Sequence, residues 1–271
     1  MTINTRGRFE LPTGSVVVKN FLLPMDERNP DASLQRIETR VLVRINGVWE
    51  GYSYAWDGTD AQLVEAEGLD RTFKVRNGDG VPKDYVWRYP SRTECFTCHT
   101  QVADRLLGLT PEAINSDFTY PESGRRANPL ATFQSIGLIA GGLPAPIEEM
   151  PALARFSDTS LPVRDRARAY FAMNCAMCHQ PFGPTTARMD FRWTTSDSSM
   201  RVINSLGYFN VPDVTGERLI LPGDPERSAV LYRMMHRGEG VQMPPLGVTR
   251  VDEEAVAVVR EWILELGTTT P

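Results

Sequence analysis

Hydrophobic and polar positions alternate over much of residues 1–90, which is the period-two pattern of half-buried strands. Residues 36–45 and 48–56 show the alternation, and Asn46-Gly47 between them is a strong signal for a two-residue hairpin turn. Three further segments are strand candidates, namely residues 14–21, 71–75 and 84–89. The pattern therefore predicts an antiparallel, β-rich segment over residues 1–90.

The returning strand of that hairpin carries several aromatic side chains: Trp49, Tyr52, Tyr54 and Trp56. A cluster of this kind lines a ligand pocket in some proteins, but in a sheet it more often forms core. We therefore expect these rings to be buried in the sheet.

The helical period of 3.6 residues dominates the later part of the chain. One helix face is formed by positions 163, 167, 170, 171 and 174, and another by positions 259, 262, 263 and 266. Asp252 is a candidate N-cap for the last helix. We expect the Tyr170 and Phe171 face to pack against Trp262. Shorter helices are predicted after Thr110-Pro111, over residues 130–139, and from Asp224-Pro225 to about residue 236.

Composition narrows the possible functions. The chain has 271 residues, 41% hydrophobic and 23% charged, with a net charge of −5. A nucleic-acid partner is excluded because the sequence offers no basic stripe to neutralise phosphates. No apolar run reaches the roughly 18 residues that a membrane span needs.

Two copies of a Cys-x-x-Cys-His motif carry the candidate chemistry. They are residues 95–99 and 175–179, and they use all four cysteines and two of the three histidines. This spacing is that of c-type haem attachment, in which two thiols bind the vinyl groups and the adjacent histidine binds the iron. The predicted cofactors are two covalently bound haem c groups. The attaching residues are Cys95, Cys98, Cys175 and Cys178, and the iron ligands are His99 and His179.

Two other chemistries use cysteine pairs. A structural zinc ion requires four ligands in one cluster, whereas these pairs lie far apart in the sequence, and zinc does not explain why a histidine follows each pair. A thioredoxin-like dithiol requires a βαβ setting, and the pattern shows none.

Each iron has room for a second axial ligand, and methionine is common in electron carriers. Met243 lies in a Gly- and Pro-framed loop just before the last helix, and it is our predicted ligand for the second haem. For the first haem, Met150 is the first choice, with Met189 and His236 as alternatives. The first iron also has the alternative of no sixth protein ligand, which would leave it open to peroxide, oxygen or other small ligands.

These motifs predict an α+β fold. An N-terminal antiparallel β-rich domain over residues 1–150 leads into an atypical haem c site, and an all-α class I-like cytochrome c domain follows over residues 151–271. The boundary is placed in the Gly- and Pro-rich linker of residues 141–151. Because c-type haem is normally attached outside the cytoplasm and residues 1–8 have no apolar leader core, we expect a removed leader or a longer parent chain.

The chain resembles a family of periplasmic or secreted dihaem cytochromes c, which occur alone or joined to quinoprotein-type dehydrogenase modules. The resemblance lies in these stretches: residues 11–16 (LPTGSV), 37–40 (IETR), 52–56 (YSYAW), 166–170 (RARAY), 174–179 (NCAMCH), 222–225 (PGDP) and 243–247 (MPPLG). The β-rich segment before the first motif is also similar to the sheet of P460-type cytochromes, although no lysine is placed for their additional haem cross-link.

The family resemblance implies electron transfer in the periplasm or outside the cell. The expected partners are a dehydrogenase-type donor and a cytochrome or oxidase acceptor, and the acidic net charge predicts docking to a basic partner. The alternative is a peroxidase-like or P460-like dihaem enzyme with an open iron at His99. In a third interpretation, the N-terminal sheet docks a dehydrogenase.

Overall fold

The computed structural model describes residues 1–207, 218–238 and 240–269. The strands are β1 (Thr2–Ile3), β2 (Phe9–Glu10), β3 (Val16–Pro24), β4 (Leu34–Ile45), β5 (Val48–Asp57), β6 (Asp60–Leu63), β7 (Leu69–Arg76), β8 (Pro82–Tyr89), β9 (Phe118–Thr119) and β10 (Arg126–Ala127). The α-helices are α1 (Arg92–Cys98), α2 (Pro111–Ile114), α3 (Pro129–Ser135), α4 (Val163–Asn174), α5 (Ala229–Met235) and α6 (Glu253–Thr269). Contacts divide the chain into two compact units, Leu11–Cys98 and the combination of Met1–Glu10 with His99–Pro271.

The unit Leu11–Cys98 is built on antiparallel strands, as the alternation predicts. Strands β3, β4, β5 and β6 form one sheet in chain order, and β7 pairs with β8 in a separate hairpin. Ile45 pairs with Val48 across the predicted turn. Asn46 and Gly47 both have positive φ, 50° and 82°, which is the backbone that a type I′ turn requires. The predicted hairpin is therefore confirmed.

The aromatic face of β5 differs from the expectation. The fully buried positions of this strand include Gly51 and Ser53, while Trp49, Tyr52, Tyr54 and Trp56 are only half-buried. Guanidinium groups partly cover two of these rings: Arg36 lies 4.9 Å from the centre of Trp56, and Arg92 lies 4.9 Å from the centre of Tyr52. None of the four rings belongs to the core of this unit, which is formed by residues outside β5, namely Leu23, Ile37, Val64, Phe73, Val75 and Tyr89. The prediction that these aromatics are core is therefore wrong.

The second unit is organised around the crossing of α4 and α6. Phe171 and Trp262 are fully buried, and their rings meet edge to face with centres 5.9 Å apart. The carboxylate of Asp252 accepts a hydrogen bond of 3.0 Å from the backbone N–H of Ala255, so it caps α6. Both the predicted packing and the predicted cap are confirmed.

The predicted fold class is wrong in its second half. Of the described residues after 150, only α4, α5 and α6 are α-helical, and no all-α cytochrome domain is evident. Residues 180–206 instead form turns, one short 3-10 helix at Asp197–Ser199 and isolated bridges such as Ile203 with Ile220. This segment is rich in Ser and Thr and has no 3.6-residue period, so it cannot bury a helix face. The chain is mixed, with small sheets and mostly short helices.

The contact-based units also differ from the domain boundary placed near residue 150. The structural division falls between Cys98 and His99, inside the first Cys-x-x-Cys-His motif. The boundary at residue 150 stays a prediction.

Candidate functional site

The second motif follows directly from the end of α4. The backbone N–H groups of Cys175 and Ala176 both donate to the carbonyl of Phe171, at 2.9 and 3.0 Å. The N–H of His179 then donates to the carbonyl of Cys175 at 2.9 Å. The helix thus ends in a tight turn that brings Cys175 and His179 to the same cavity.

That cavity has a volume of about 870 Å³, including its open mouth, and Cys175, His179 and Met243 all line it. Most of the other lining residues are apolar: Phe171, Ala187, Met189, Phe191, Leu219, Ala229, Val230, Met234 and Pro244. Ligand sites in proteins are concave and mostly apolar, with a few polar groups, and reach this size. Three residues predicted for the second haem site therefore meet in one place, while Cys178, which is half-buried, is not among the lining residues.

His179 is buried at 9% exposure, and its ring stands perpendicular to Phe191 at 5.8 Å. Its Nδ1 atom is buried without a hydrogen-bond partner in the part of the chain that the structure describes. Burial, helped by the nearby Arg233 charge, lowers the pKa of this imidazole, which keeps it neutral at neutral pH. A neutral imidazole has a lone pair for a metal, so His179 suits an iron ligand.

Met243 is held by the segment around it. Its backbone N–H donates to the carbonyl of Arg233 at 2.9 Å, and the Arg233 guanidinium donates to the carbonyls of Gly240 and Val241 at 3.1 and 3.3 Å. The Gln242 amide donates to three carbonyls further along, those of Pro244, Pro245 and Val248. Residue 239 of this loop lies outside the described residues. The anchoring fixes where Met243 enters the cavity.

The alternative ligands fall in different places. Met189 lines the same cavity as His179. His236 is exposed and stacks on Tyr232 with ring centres 3.7 Å apart. Its Nδ1 lies 2.8 Å from the carbonyl of Tyr232, so its ring already has local partners.

The cysteines of the first motif belong to α1, which follows β8. Cys95 lies against β5 where that strand has Gly51: a Cβ built on Gly51 would be 3.0 Å from the Cys95 sulfur. Burial raises the pKa of the Cys95 thiol. Because Gly51 has no side chain, the Cys95 thiol can approach β5. On the same sheet, the fully buried Glu38 accepts hydrogen bonds from Arg40 at 2.7 and 2.9 Å.

His99 begins the other unit, where a compact loop orients it. Its Nδ1 lies 2.6 Å from the carbonyl of Arg105, and because a carbonyl only accepts, Nδ1 must carry the proton. The Arg105 guanidinium donates back to the His99 carbonyl at 2.8 Å. Asp104 and Arg105 both have positive φ, 55° and 62°, so the loop is bent tightly. Iron-binding histidines characteristically donate their other ring nitrogen in this way, and Nε2 keeps the lone pair.

Met150 lines a different cavity, together with Arg8, Val102 and Glu112 but not with His99. Its carbonyl accepts a hydrogen bond of 3.0 Å from the Asn115 amide. Its role as sixth ligand of the first haem stays a prediction.

The competing cysteine chemistries fit less well. All four cysteines are thiols rather than disulfides, and burial raises the pKa of Cys175 to about 12. Redox-active thiols show the opposite shift, toward a thiolate. Across the described residues, no three His, Cys, Asp or Glu side chains group as a protein-only metal site requires. A haem iron does not need such a group because the porphyrin supplies its equatorial ligands.

No protein-family model matches the chain, and neither does any curated protein or solved structure. Within the described residues, no helix combines the length and the apolar character needed to cross a bilayer.

Several residues that shape these sites were not predicted from the sequence. Arg233 and Gln242 anchor the Met243 loop, Gly51 admits Cys95, and the Arg105 carbonyl orients His99. The Gly- and Pro-rich composition of residues 238–247 indicates a loop, but no local pattern indicates which side chain elsewhere will hold it. Gly51 had a signal that could have identified it, because a glycine inside a strand pattern often marks a close backbone approach.

Proposed function

We propose that this protein is a dihaem c-type cytochrome that transfers electrons from a dehydrogenase-type donor to a cytochrome or oxidase acceptor. The observation that carries the proposal is the meeting of Cys175, His179 and Met243 on one largely apolar cavity. Haem iron, when bound, would supply one-electron redox chemistry. The protein then sets the potential through axial ligands, burial and nearby charge.

Different residues of the second site are proposed for haem attachment and for iron ligation. Cys175 and Cys178 would attach the haem, and His179 and Met243 would be the ligands of its iron. Arg233 has the single formal charge among the described lining residues, which suits the carboxylates of a haem. The apolar lining excludes water, and a thioether ligand in a dry site favours a raised potential.

For the first site, the proposal uses Cys95 and Cys98 as attachment residues and His99 as the iron ligand. The hydrogen bond of His99 Nδ1 to the Arg105 carbonyl supports His99 as a ligand through Nε2, and the position of the buried His179 on the cavity that Met243 lines supports His179. Covalent haem attachment implies export, so we propose a periplasmic or secreted location.

A second candidate function is a peroxidase-like or P460-like enzyme with an open iron at His99. It is favoured by one observation: Met150, the first choice for a sixth ligand, lines a cavity that His99 does not line. An EPR spectrum with a high-spin ferric signal, and peroxide turnover that a His99→Ala variant loses, would favour this enzyme. Two low-spin signals would favour the electron carrier.

The test of the leading proposal compares two methionines of the same cavity. Met243→Leu should lower the potential of one haem, remove the methionine-to-iron charge-transfer absorption and leave that iron partly high-spin. Met189→Leu is the matched control, since Met189 lines the same cavity, and it should leave the spectrum unchanged. Loss of the band in Met189→Leu, or its survival in Met243→Leu, would refute Met243 as the ligand.

A further inference from the structure

Phe182 is an aromatic residue on the surface of the protein. Its side chain is 96% exposed, three positions after His179. A single exposed apolar residue is common on protein surfaces, but aromatic and Arg side chains are enriched together at protein interfaces, so the surroundings of Phe182 decide its interpretation.

The backbone holds Phe182 in this position. Its φ is +64°, a left-handed conformation that bulky residues rarely adopt. The next residue, Gly183, closes a turn by donating to the carbonyl of Gln180 at 2.9 Å. A Cβ on Gly183 would overlap the carbonyl oxygen of Cys178, so the turn lies directly against the second haem motif. Strained conformations persist where the surrounding structure holds them, and they cluster at functional sites.

Arginines surround Phe182 on one side. A cavity of about 1250 Å³, including open solvent, is lined by Phe182, Arg188, Arg192 and Arg201. Asp190 is the acidic residue of that lining, and Arg192 pairs with it at 2.6 Å. Among the described residues, no carboxylate is paired with Arg188 or Arg201, and both are exposed. We call Phe182, Arg188, Arg192 and Arg201 the Phe182 surface.

The Phe182 surface borders the second haem cavity. Thr185, Ala187 and Met189 line both cavities, so a protein bound at this surface would lie beside the mouth of the haem site. On this side of Phe182, three arginines against the one carboxylate of Asp190 make the surface positive, although the whole chain has a net charge of −5. The cavity on the other side of Phe182 has equal numbers of arginines and carboxylates. Charge complementarity acts locally at an interface. The positive Phe182 surface therefore selects an acidic partner, although the acidic net charge of the chain predicts a basic one.

We propose that the Phe182 surface docks an acidic electron-transfer protein, with Phe182 as the apolar anchor and Arg188 and Arg201 as the charged contacts. The proposal rests on the proposed function and names the partner's chemistry. It replaces the expectation of a basic partner at this site. A small anion alone would use the arginines and would have no need of the exposed ring.

The experiment measures binding by isothermal titration calorimetry, with two probe proteins: an acidic plastocyanin and a basic mitochondrial cytochrome c. The acidic probe should bind and the basic one should not, and binding should weaken as salt rises from low to near-physiological concentration. Phe182→Ser and the double variant Arg188→Glu/Arg201→Glu should each weaken binding by about tenfold or more.

The control is the double variant Lys83→Glu/Arg125→Glu, which reverses two exposed positive charges outside the surface and should bind as the wild type does. Binding of the basic probe instead, binding of neither probe, or equal losses in both double variants would overturn the proposal. Calorimetric binding requires no haem, whereas a haem count on the same sample tests the proposed function, so the two failures are distinguishable.

Discussion

Arg168 provides the sharpest test of how the second unit is held together. Its side chain is only 3% exposed and pairs with Asp197, and it also donates to the carbonyls of Arg192 and Trp193 at 3.1 and 3.4 Å. Arg168 lies on α4, the helix that ends at the second motif. It therefore ties that helix to the segment that contributes Phe191 to the cavity wall.

The structure supplies a matched comparison, because Arg164 on the same helix binds the same carboxylate. Arg164 lies 2.7 Å from Asp197, but its side chain is 45% exposed. Removing Arg168 leaves the carbonyls of Arg192 and Trp193 without their buried donor, and an unsatisfied buried polar group costs about 1–3 kcal/mol. Asp197 is 28% exposed and keeps Arg164 as a partner, and an exposed pair contributes about 0.2–1 kcal/mol. We expect Arg168→Met to lower the free energy of unfolding by about 1–3 kcal/mol and Arg164→Met by less than about 1 kcal/mol.

Native-state hydrogen exchange of the amides of Ala167, Ala169 and Phe171 measures both values within the unit that contains α4, without assuming that the whole chain unfolds in one step. High salt should reduce the small effect of Arg164→Met and leave the effect of Arg168→Met nearly unchanged, because buried pairs are screened less. Equal losses in the two variants, or a loss below about 1 kcal/mol for Arg168→Met, would refute this account of α4.

Three further predictions concern the other parts of the structure. Gly51→Ala should force Cys95 away from β5 and lower haem attachment at the first motif, whereas Gly78→Ala, which meets nothing within 4 Å, should not; a haem count on both variants decides. Burial acts to raise the pKa of Asp197, but its arginine partners outweigh burial and the net shift is downward. The ionised Asp197 carboxylate therefore stabilises the protein above the unfolded pKa of about 3.9, and this contribution is lost as pH falls through the folded pKa. Urea titrations should show that the difference in stability between Asp197→Asn and the wild type disappears in acid. A difference that does not change with pH would contradict the pairing. Gln242→Ala should accelerate amide exchange in residues 240–248 but not in α4, and uniform acceleration would show that the amide does not act locally on the loop.

The elements with a strong local signal were predictable. The Asn46-Gly47 hairpin was visible because few sequences other than Asn-Gly favour positive φ at two successive positions. The crossing of α4 with α6 was visible because Phe171 and Trp262 each lie on an apolar helix face. The convergence of Cys175, His179 and Met243 also follows the sequence order of the motifs, although their cavity depends on residues scattered between them.

Other features depend on tertiary context that no local pattern contains. The all-α second domain was predicted by analogy with other haem domains, whereas residues 180–206 are rich in Ser and Thr and have no 3.6-residue hydrophobic period. The aromatics of β5 satisfied a strand pattern, yet the core of that unit is filled by residues outside β5, among them Ile37, Phe73 and Tyr89. The positive charge beside Phe182 could not be predicted from the net charge of the whole chain, which is negative.

The central claim is that the protein holds two covalently attached haems. The most direct measurement is a pyridine haemochrome count together with the intact mass of the protein, exported from cells that have a c-type haem maturation system. The account predicts two haem c groups per chain, falling to one when Cys175 and Cys178 are both replaced by Ala and likewise when Cys95 and Cys98 are. A mass without added haem, or a count unaffected by either double replacement, would contradict it.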